Sequence, residues 1–400
     1  FRAGPKSFAK FAGIAENVVP FMDRTLDPAL PCAVNLAAYE AAVAVDAFGM
    51  RGRAAAEDIL PLEYRALVLG PLLVGTYGYT PHTLVGHKSC GVWHAALPNA
   101  PSSLTKAVLV DDLRGCVTHA FAPVLIDQEG GRVRRLKPPH WGVVPAAGGI
   151  GRLHAKDPAA GLTAARLTGR LIGHDLIALG IDVNCAPVAD IRFAHAHEVI
   201  GDRAYCADPV KVAALAGAMA AGLGEAGVQP VVKHIPGHGR AETDSHAELP
   251  VVDADLDALR AADFAPFLAL NRLPWAMTAH VAYPAIDPDL PATLSAKVID
   301  EVIRREIGFD GVLLSDDVCM AALEGDMSWR ANSALAAGCD AVLHCNGNTA
   351  ETRAVLEAAP LVTAEARRRL TAAAAWAAKR RSAQLDVSAD RKALAGLIGD

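Results

Sequence analysis

The 400-residue sequence lacks the features of several large protein classes. It contains no apolar run that approaches the roughly 18 residues needed to cross a bilayer, and its first residues do not follow the charged, apolar, small order of a secretory signal. A formal charge of −6 and a sequence pI of about 6.2 leave no basic excess for holding nucleic acid. We therefore predict neither a membrane nor a nucleic acid as a partner.

Paired cysteine spacing and nucleotide-binding glycine motifs are also missing. The eight cysteines are scattered without a Cys-x-x-Cys pair, and Cys185 and Cys339 lie in or beside apolar segments, where a thiol behaves as a small hydrophobe. This usage disfavours a disulfide framework and predicts a reducing compartment, the cytoplasm. No Gly-x-Gly-x-x-Gly follows the first strand and no phosphate loop is present, so nucleotide binding is not predicted.

From about residue 120 onward, short apolar runs alternate with alanine-rich helical patterns, which indicates βα units and a parallel sheet. Each run ends in polar residues. That pattern is typical of a closed (β/α) TIM-type barrel with its site at the C-terminal face, whereas an open doubly wound sheet places such residues at one switch point. The predicted strands are 123–127, 181–185, 230–233, 275–279, 311–316 and 340–344; the predicted helices are 158–179, 208–226, 254–270, 296–306, 328–337 and 362–398.

We therefore predict an α/β fold with a single catalytic domain, a barrel over residues 107–385, followed by a C-terminal tail at 386–400. Residues 1–106 show no clear periodicity, and the position of the first barrel strand is left open. One strand at 72–74 and one helix at 35–48 are predicted there.

The stretch from Lys233 to Pro250 carries a lysine, three histidines and an aspartate on a glycine-bearing loop that leaves an apolar strand. Functional groups concentrate on such loops, although a solvated histidine-rich loop is the alternative. Asp244 lies two residues before His246, where a carboxylate can fix the imidazole tautomer. His246 could then protonate a leaving group and deprotonate water, with Glu248 as a competitor for that role.

Two other strand ends carry acidic residues. The segment from Asp127 to Arg135 offers acids and arginines that could grip hydroxyls or an anionic group, or form a surface turn with local ion pairs. At Asp316 and Asp317, adjacent side chains point in opposite directions, so only one of them easily faces a barrel mouth. That carboxylate could be a nucleophile or a metal ligand, or either Asp could cap the next helix.

A metal-dependent barrel hydrolase is the alternative enzyme class. His234, His238, His246 and His280 could converge with an aspartate to hold zinc. The glycines and Pro236 give these histidines no fixed i, i+4 spacing, which disfavours this interpretation.

Four motifs together resemble bacterial family-three glycoside hydrolases, the β-N-acetylhexosaminidases of peptidoglycan recycling. The similarity covers about residues 107–380. The motifs are Asp127-Gln-Glu-Gly-Gly-Arg-Val-Arg-Arg135, Glu198-Val-Ile-Gly-Asp-Arg203, Lys233-His-Ile-Pro-Gly-His-Gly239 with Asp244-Ser-His246, and Ser315-Asp-Asp317.

The resemblance implies that Asp316 is the nucleophile and that His246, supported by Asp244, is the acid/base. It implies a TIM-type barrel without metal or cofactor, and a small amino-sugar or muropeptide substrate such as N-acetylglucosaminyl-1,6-anhydro-N-acetylmuramic acid, with or without its peptide. We also predict a monomer. The implied binding residues for the N-acetylglucosamine ring are Asp127, Arg135, Arg203, Lys233 and His234.

The chain departs from the family pattern before residue 107. The aromatic-Arg-Asn stretch that precedes the Asp-Gln-Glu-Gly-Gly motif in the family is not found, and none of the implied catalytic residues lies there. A catalytically impaired, sugar-binding product of an altered N-terminus is therefore a third interpretation.

Overall fold

A computed structural model describes residues 67–73, 93–96, 123–138, 141–346, 348–382 and 385–399. The predicted helix at 35–48 lies outside these residues, and the predicted strand at 72–74 overlaps the end of a described strand. Within the described part of the chain, no helix is both long and apolar enough to cross a membrane.

The centre of the molecule is a curled parallel sheet, and each of the six strands predicted after residue 120 is confirmed. The strands are β1 Leu67–Leu73, β2 Trp93–Ala96, β3 Val124–Ile126, β4 Gln128–Gly130, β5 Val133–Arg134, β6 Val183–Asn184, β7 Gln229–Ile235, β8 Trp275–Thr278, β9 Ala282–Tyr283, β10 Asp287–Pro291, β11 Val312–Asp317 and β12 Ala341–Leu343. The order of the strands in the central sheet is β1-β12-β11-β8-β7-β6-β3-β2, and β1 also pairs with β2. Two separate antiparallel pairs are formed by β4 with β5 and by β9 with β10.

The side chains of β3, β6, β7, β8 and β12 are buried on both faces of the sheet, which explains why these segments are apolar runs rather than alternating ones. Leu125, Val231 and Trp275 belong to a core cluster on one face. Their chain neighbours Val232 and Ala276 belong to the cluster that packs under the helices. Successive strand side chains point to opposite faces, so each strand contributes to both clusters.

Helices surround the sheet, and most lie where the sequence predicts them. They are α1 Ala147–Lys156, α2 Pro158–Ile177, α3 Pro209–Ala226, α4 Leu256–Ala258, α5 Ala265–Ala269, α6 Met327–Ala337, α7 Thr349–Ala358, α8 Ala364–Ala378 and α9 Val387–Ile398, with π-helical segments at Leu259–Asp263 and Val298–Glu306 and a 3-10 turn at Gly201–Arg203.

Three helix predictions need correction. The helix at 254–270 is broken, because Pro266 in the first turn of α5 has no N–H to continue the α-helical pattern. The segment at 296–306 is helical but has π rather than α hydrogen bonding. The helix at 362–398 is two helices, since the Ser382 N–H donates to the Glu225 carbonyl and Asp386 caps a new helix. The structure also adds α1 and α7, neither of which is predicted from the sequence.

Helices α2 and α3 flank the part of the sheet that carries β6 and β7, and both begin with an aspartate cap followed by proline. Their backbones approach closely at two glycines. A Cβ atom on Gly169 would lie 2.1 Å from the Met219 carbonyl oxygen, and one on Gly222 would lie 2.1 Å from that of Arg166. The two helices can approach this closely only because glycine has no side chain at either position.

Candidate active site

Nearly all of the site residues predicted from the sequence line one cavity of about 230 Å³ at the C-terminal ends of β3, β7 and β11. The remaining one, Asp244, contacts His246 directly. Glu248, the competitor for the acid/base role, is exposed and does not line the cavity. The lining is Asp127, Glu129, Arg132, Val133, Arg135, Val199, Ile200, Arg203, Lys233, His234, His238, Ser245, His246, Asp316 and Met320.

A buried ion cluster forms the floor of this cavity. Lys233 Nζ lies 2.7 Å from a Glu129 carboxylate oxygen and 3.1 Å from Asp127 Oδ1. Arg203 binds Glu129 through two hydrogen bonds of 2.9 Å, a bidentate geometry that fixes the guanidinium. Glu129 therefore positions two of the predicted sugar-binding cations.

Glu129 is ionised in this environment. Burial tends to raise its pKa, but the charges of Arg203 and Lys233, together with their hydrogen bonds, lower the pKa from 4.5 to about 2. The same carboxylate raises the pKa values of Arg203 and Lys233 against the opposing effect of burial. The sequence left a surface turn open as the alternative at Glu129, and the burial of this side chain excludes that alternative.

Asp127 lies at the edge of the cluster. One of its oxygens accepts from Lys233, and the other accepts from Arg135 Nη2 at 3.2 Å. Its side chain remains partly exposed to the cavity. This geometry leaves a rigid carboxylate next to cations, which suits the recognition of hydroxyl groups.

His234 is oriented by Asp190, a residue that the sequence analysis did not single out. His234 Nδ1 lies 2.6 Å from Asp190 Oδ2, and the backbone N–H groups of His234 and His238 also donate to this fully buried carboxylate. Because Nδ1–H donates to Asp190, Nε2 faces Arg203 at 3.3 Å and Asp316 Oδ2 at 3.9 Å. The only signal in the sequence is an acid at the end of the apolar segment after β6.

Of the two adjacent aspartates, Asp316 faces the cavity and Asp317 does not. Asp317 Oδ1 accepts from the backbone N–H groups of Cys319 and Cys345 at 3.0 Å each. Burial tends to raise the pKa of Asp316, but its interactions with the His234, His280 and Lys233 side chains hold the pKa below its ordinary value. Asp316 is thus an ionised carboxylate aimed into the cavity.

His246 stands on an exposed loop and lines the same cavity as Asp316. Its Nδ1 lies 2.7 Å from Asp244 Oδ1, and its backbone N–H donates to the same oxygen. Burial tends to raise the pKa of Asp244, but these hydrogen bonds keep the pKa below its ordinary value. With Nδ1–H held by Asp244, the nitrogen left for proton exchange with a ligand is Nε2.

The loop that carries His246 is tied to the segment that follows Asp316. The carbonyl of Ser245 accepts from the Ala322 N–H at 3.1 Å, and Ser245 Oγ lies 3.2 Å from His238 Nε2. Ser245 is buried, whereas the His246 side chain is 66% exposed. The loop is therefore anchored on one side while the imidazole extends into the cavity.

The four histidines of the metal alternative do not form a ligand set in the described residues. His280 is buried, with one ring nitrogen 2.7 Å from Thr293 Oγ1 and the other 2.9 Å from the Asp317 carbonyl. Among the residues that the structure describes, the one group of three mutually close metal-ligating side chains is Cys319, His344 and Glu351.

The chain is similar to known glycoside hydrolases over most of its length. Residues 99–375 match the family model described as the N-terminal domain of glycosyl hydrolase family 3. A β-hexosaminidase of Alkalilimnicola ehrlichii is 41% identical over 292 residues, which is 70% of this chain and 82% of the relative. A β-hexosaminidase of Aromatoleum aromaticum is 40% identical over 253 residues, 62% of this chain and 70% of the relative.

A solved structure has the same overall arrangement. NagZ from Neisseria gonorrhoeae, in complex with N-trifluoroacetyl-D-glucosamine, aligns with a TM-score of 0.71 and 30% identity, over 85% of this chain and 100% of that one. The resemblance that the four sequence motifs indicated is thereby confirmed at the level of the family. The chain belongs to glycosyl hydrolase family 3 and is a glycoside hydrolase, with bacterial β-hexosaminidases among its relatives.

Proposed function

We propose that this enzyme is a retaining, exo-acting β-N-acetylglucosaminidase that uses Asp316 as nucleophile and His246 as acid/base. The observation that carries the proposal is that an ionised Asp316 and a His246 oriented by Asp244 line the same cavity. The names of the relatives, β-hexosaminidases, support the sugar specificity.

In the proposed first step, Asp316 attacks the anomeric carbon while His246 Nε2–H protonates the departing glycosidic oxygen. In the second step, His246 deprotonates water, which attacks the glycosyl-enzyme and releases Asp316. This is the two-step scheme of retaining glycosidases, with an imidazole in place of the second carboxylate.

The loop at His246 is proposed to close over the bound sugar. Nucleophile and acid/base of a retaining enzyme work at a separation of about 5–5.5 Å. His246 is mostly exposed, and its loop is anchored by Ser245 to the segment after Asp316, so we propose that movement about this anchor brings the ring toward the carboxylate.

The sugar is proposed to lie on the ion cluster. Asp127, Arg135 and Lys233 offer adjacent acceptors and donors for ring hydroxyls, with Arg203 and His234 beside Asp316. We further propose a complete (β/α) TIM-type barrel, which the pairing of β1 with both β2 and β12 supports.

The proposed substrate is a peptidoglycan fragment with a terminal β-linked N-acetylglucosamine, such as N-acetylglucosaminyl-1,6-anhydro-N-acetylmuramic acid with or without its peptide. The proposed location is the cytoplasm, and the proposed state is a monomer. The complex of the Neisseria relative with a glucosamine derivative supports an amino sugar as ligand.

The test is turnover of matched chromogenic glycosides with analysis of the product anomer. We expect hydrolysis of the β-N-acetylglucosaminide, resistance to a strong chelator, little action on the α-anomer, and β-N-acetylglucosamine as the first product in an NMR time course. First release of the α-anomer would contradict a retaining mechanism. Loss of activity in chelator would favour the metal-dependent alternative, and a folded protein without turnover would favour the impaired one.

A further inference from the structure

A second cluster of reactive side chains lies beside the cavity and takes no part in the proposed reaction. It comprises Cys319 on the loop after β11, His344 directly after β12, and Glu351 in the first turn of α7. Their ligand atoms all lie within 4.8 Å of one another. His344 is fully buried, whereas Cys319 and Glu351 are partly exposed, so the cluster is reachable from solvent.

Hydrogen bonds orient the His344 ring. Its Nε2 lies 3.4 Å from Glu351 Oε2, and because a carboxylate can only accept, Nε2–H is the donor in the metal-free protein. Its Nδ1 lies 3.2 Å from Thr352 Oγ1, which also lies 2.9 Å from the Asn348 carbonyl. When a metal ion takes Nε2, the ring proton sits on Nδ1, where Thr352 Oγ1 can accept it while donating to Asn348; such a supporting hydrogen bond is typical of histidines that bind metals.

Glu351 is oriented as well. The side-chain amide of Asn346 donates to Oε2, and that of Asn348 donates to Oε1 at 3.0 Å. The contact between His344 and Glu351 is longer than the roughly 2.7–2.9 Å of a charge-assisted hydrogen bond. An oriented imidazole and an oriented carboxylate thus lie side by side, with a thiol next to them.

We infer that Cys319, His344 and Glu351 form a binding site for a thiophilic divalent cation, Zn²⁺ above all, with water as the fourth ligand. Sulfur, imidazole and carboxylate are the donors that zinc prefers, at about 2.0–2.3 Å in tetrahedral geometry. Binding deprotonates the Cys319 thiol and releases the proton to solvent. This site is separate from the four-histidine arrangement considered from the sequence, and the metal performs no step of the hydrolysis.

Cation binding at this site would join three elements next to the cavity. Asp317 already holds the backbones of Cys319 and Cys345 together, and its neighbour Asp316 faces the sugar site. A bound cation would add a direct link between the loop after β11, the end of β12 and α7. We expect it to raise the midpoint of thermal unfolding.

The test is titration of the metal-free 400-residue chain with Co²⁺, followed by its thiolate-to-cobalt charge-transfer absorption. We expect one equivalent to saturate the band and Zn²⁺ to displace it. Cys319→Ser should abolish the band, and Thr352→Val should weaken binding about 10–100-fold, the usual cost of losing a supporting hydrogen bond. Cys206→Ser, which changes a partly exposed thiol elsewhere, and His246→Ala should keep the band.

Several outcomes would overturn the inference. These are no band in the wild-type chain, a band unchanged in Cys319→Ser, or a band removed by Cys345→Ser instead. If Cys319→Ser fails to fold by circular dichroism, Glu351→Gln gives the decision, because its partly exposed side chain can be changed without a buried cavity. Unaltered cobalt affinity in that folded variant would contradict the ligand set.

Discussion

Replacement of Glu129 by Gln should destabilise the protein and remove part of its acid sensitivity. Glu129 neutralises Lys233 and Arg203 in a nearly dry environment, and the three side chains are between 3% and 12% exposed. Gln keeps the shape but leaves the buried cations without their main counter-charge. Removal of one partner from a buried ion pair costs about 3–5 kcal/mol.

The lowered pKa of Glu129 gives a second measure of how much the ionised carboxylate stabilises the folded state. Its lowering from 4.5 to about 2 corresponds to about 3 kcal/mol, at about 1.4 kcal/mol for each pH unit. Because the pKa is lower in the folded than in the unfolded state, this stabilisation is fully present above pH 4.5. It is lost as the pH falls toward 2, where the folded protein also takes up the proton.

The assay is denaturant unfolding of wild type and Glu129→Gln at pH 7 and at several pH values from 5 to 2. We expect the variant to lose about 3–5 kcal/mol at pH 7 and the difference between the two proteins to shrink as the pH falls. Glu324→Gln, at an exposed glutamate, is the matched control and should change neither quantity. A Glu129→Gln variant as stable as wild type at pH 7, or a difference independent of pH, would refute the reasoning.

Three further predictions concern the site and the packing beneath it. Asp190→Asn should raise KM more than Asp289→Asn at an exposed position. The His234 ring N–H and the His238 backbone N–H donate to different oxygens of Asp190, and Asn replaces one of these oxygens with an NH2 group that only donates. Equal steady-state kinetics of the two variants would contradict this role for Asp190. His246→Ala should slow the glycosylation step of an unactivated disaccharide about 10²–10⁴-fold, because its leaving group needs a general acid. The same step should slow much less for a nitrophenyl glycoside, whose leaving group does not. Equal losses for the two substrates in stopped-flow kinetics would oppose the assignment of His246 as the acid. Gly169→Ala should cost about 1–3 kcal/mol by overpacking. Gly396→Ala adds a Cβ with no atom within 4 Å at an exposed position of α9, and should stabilise the protein by up to about 1 kcal/mol through helix propensity. The opposite order in thermal unfolding would show that the α2–α3 contact is misjudged.

The strands were predictable from the sequence because a parallel sheet buried on both faces requires continuous apolar runs. Runs such as 230–233 and 311–316 meet that requirement, and both are strands in the structure. The helices were less predictable in detail. The π segment at 298–306 depends on hydrogen bonding that residue periodicity does not encode, and the break after α8 depends on a contact between Ser382 and Glu225.

The cavity was predictable in outline because the carboxyl ends of parallel strands meet at one end of the sheet. That rule brings Asp127 and Lys233 together although they are 106 residues apart in sequence. It does not say which side chains support the others. The role of Glu129 depends on Arg203, and that of Asp190 on His234, and neither pairing follows from spacing along the chain.

Covalent trapping tests the proposed mechanism most directly. The protein would be inactivated with a fluorinated N-acetylglucosaminide, digested, and analysed by tandem mass spectrometry. The account predicts one sugar adduct, on the carboxylate of Asp316. An adduct on Asp317 or on any other residue would contradict the account. So would rapid turnover of the reagent by the Asp316→Asn variant with no covalent adduct.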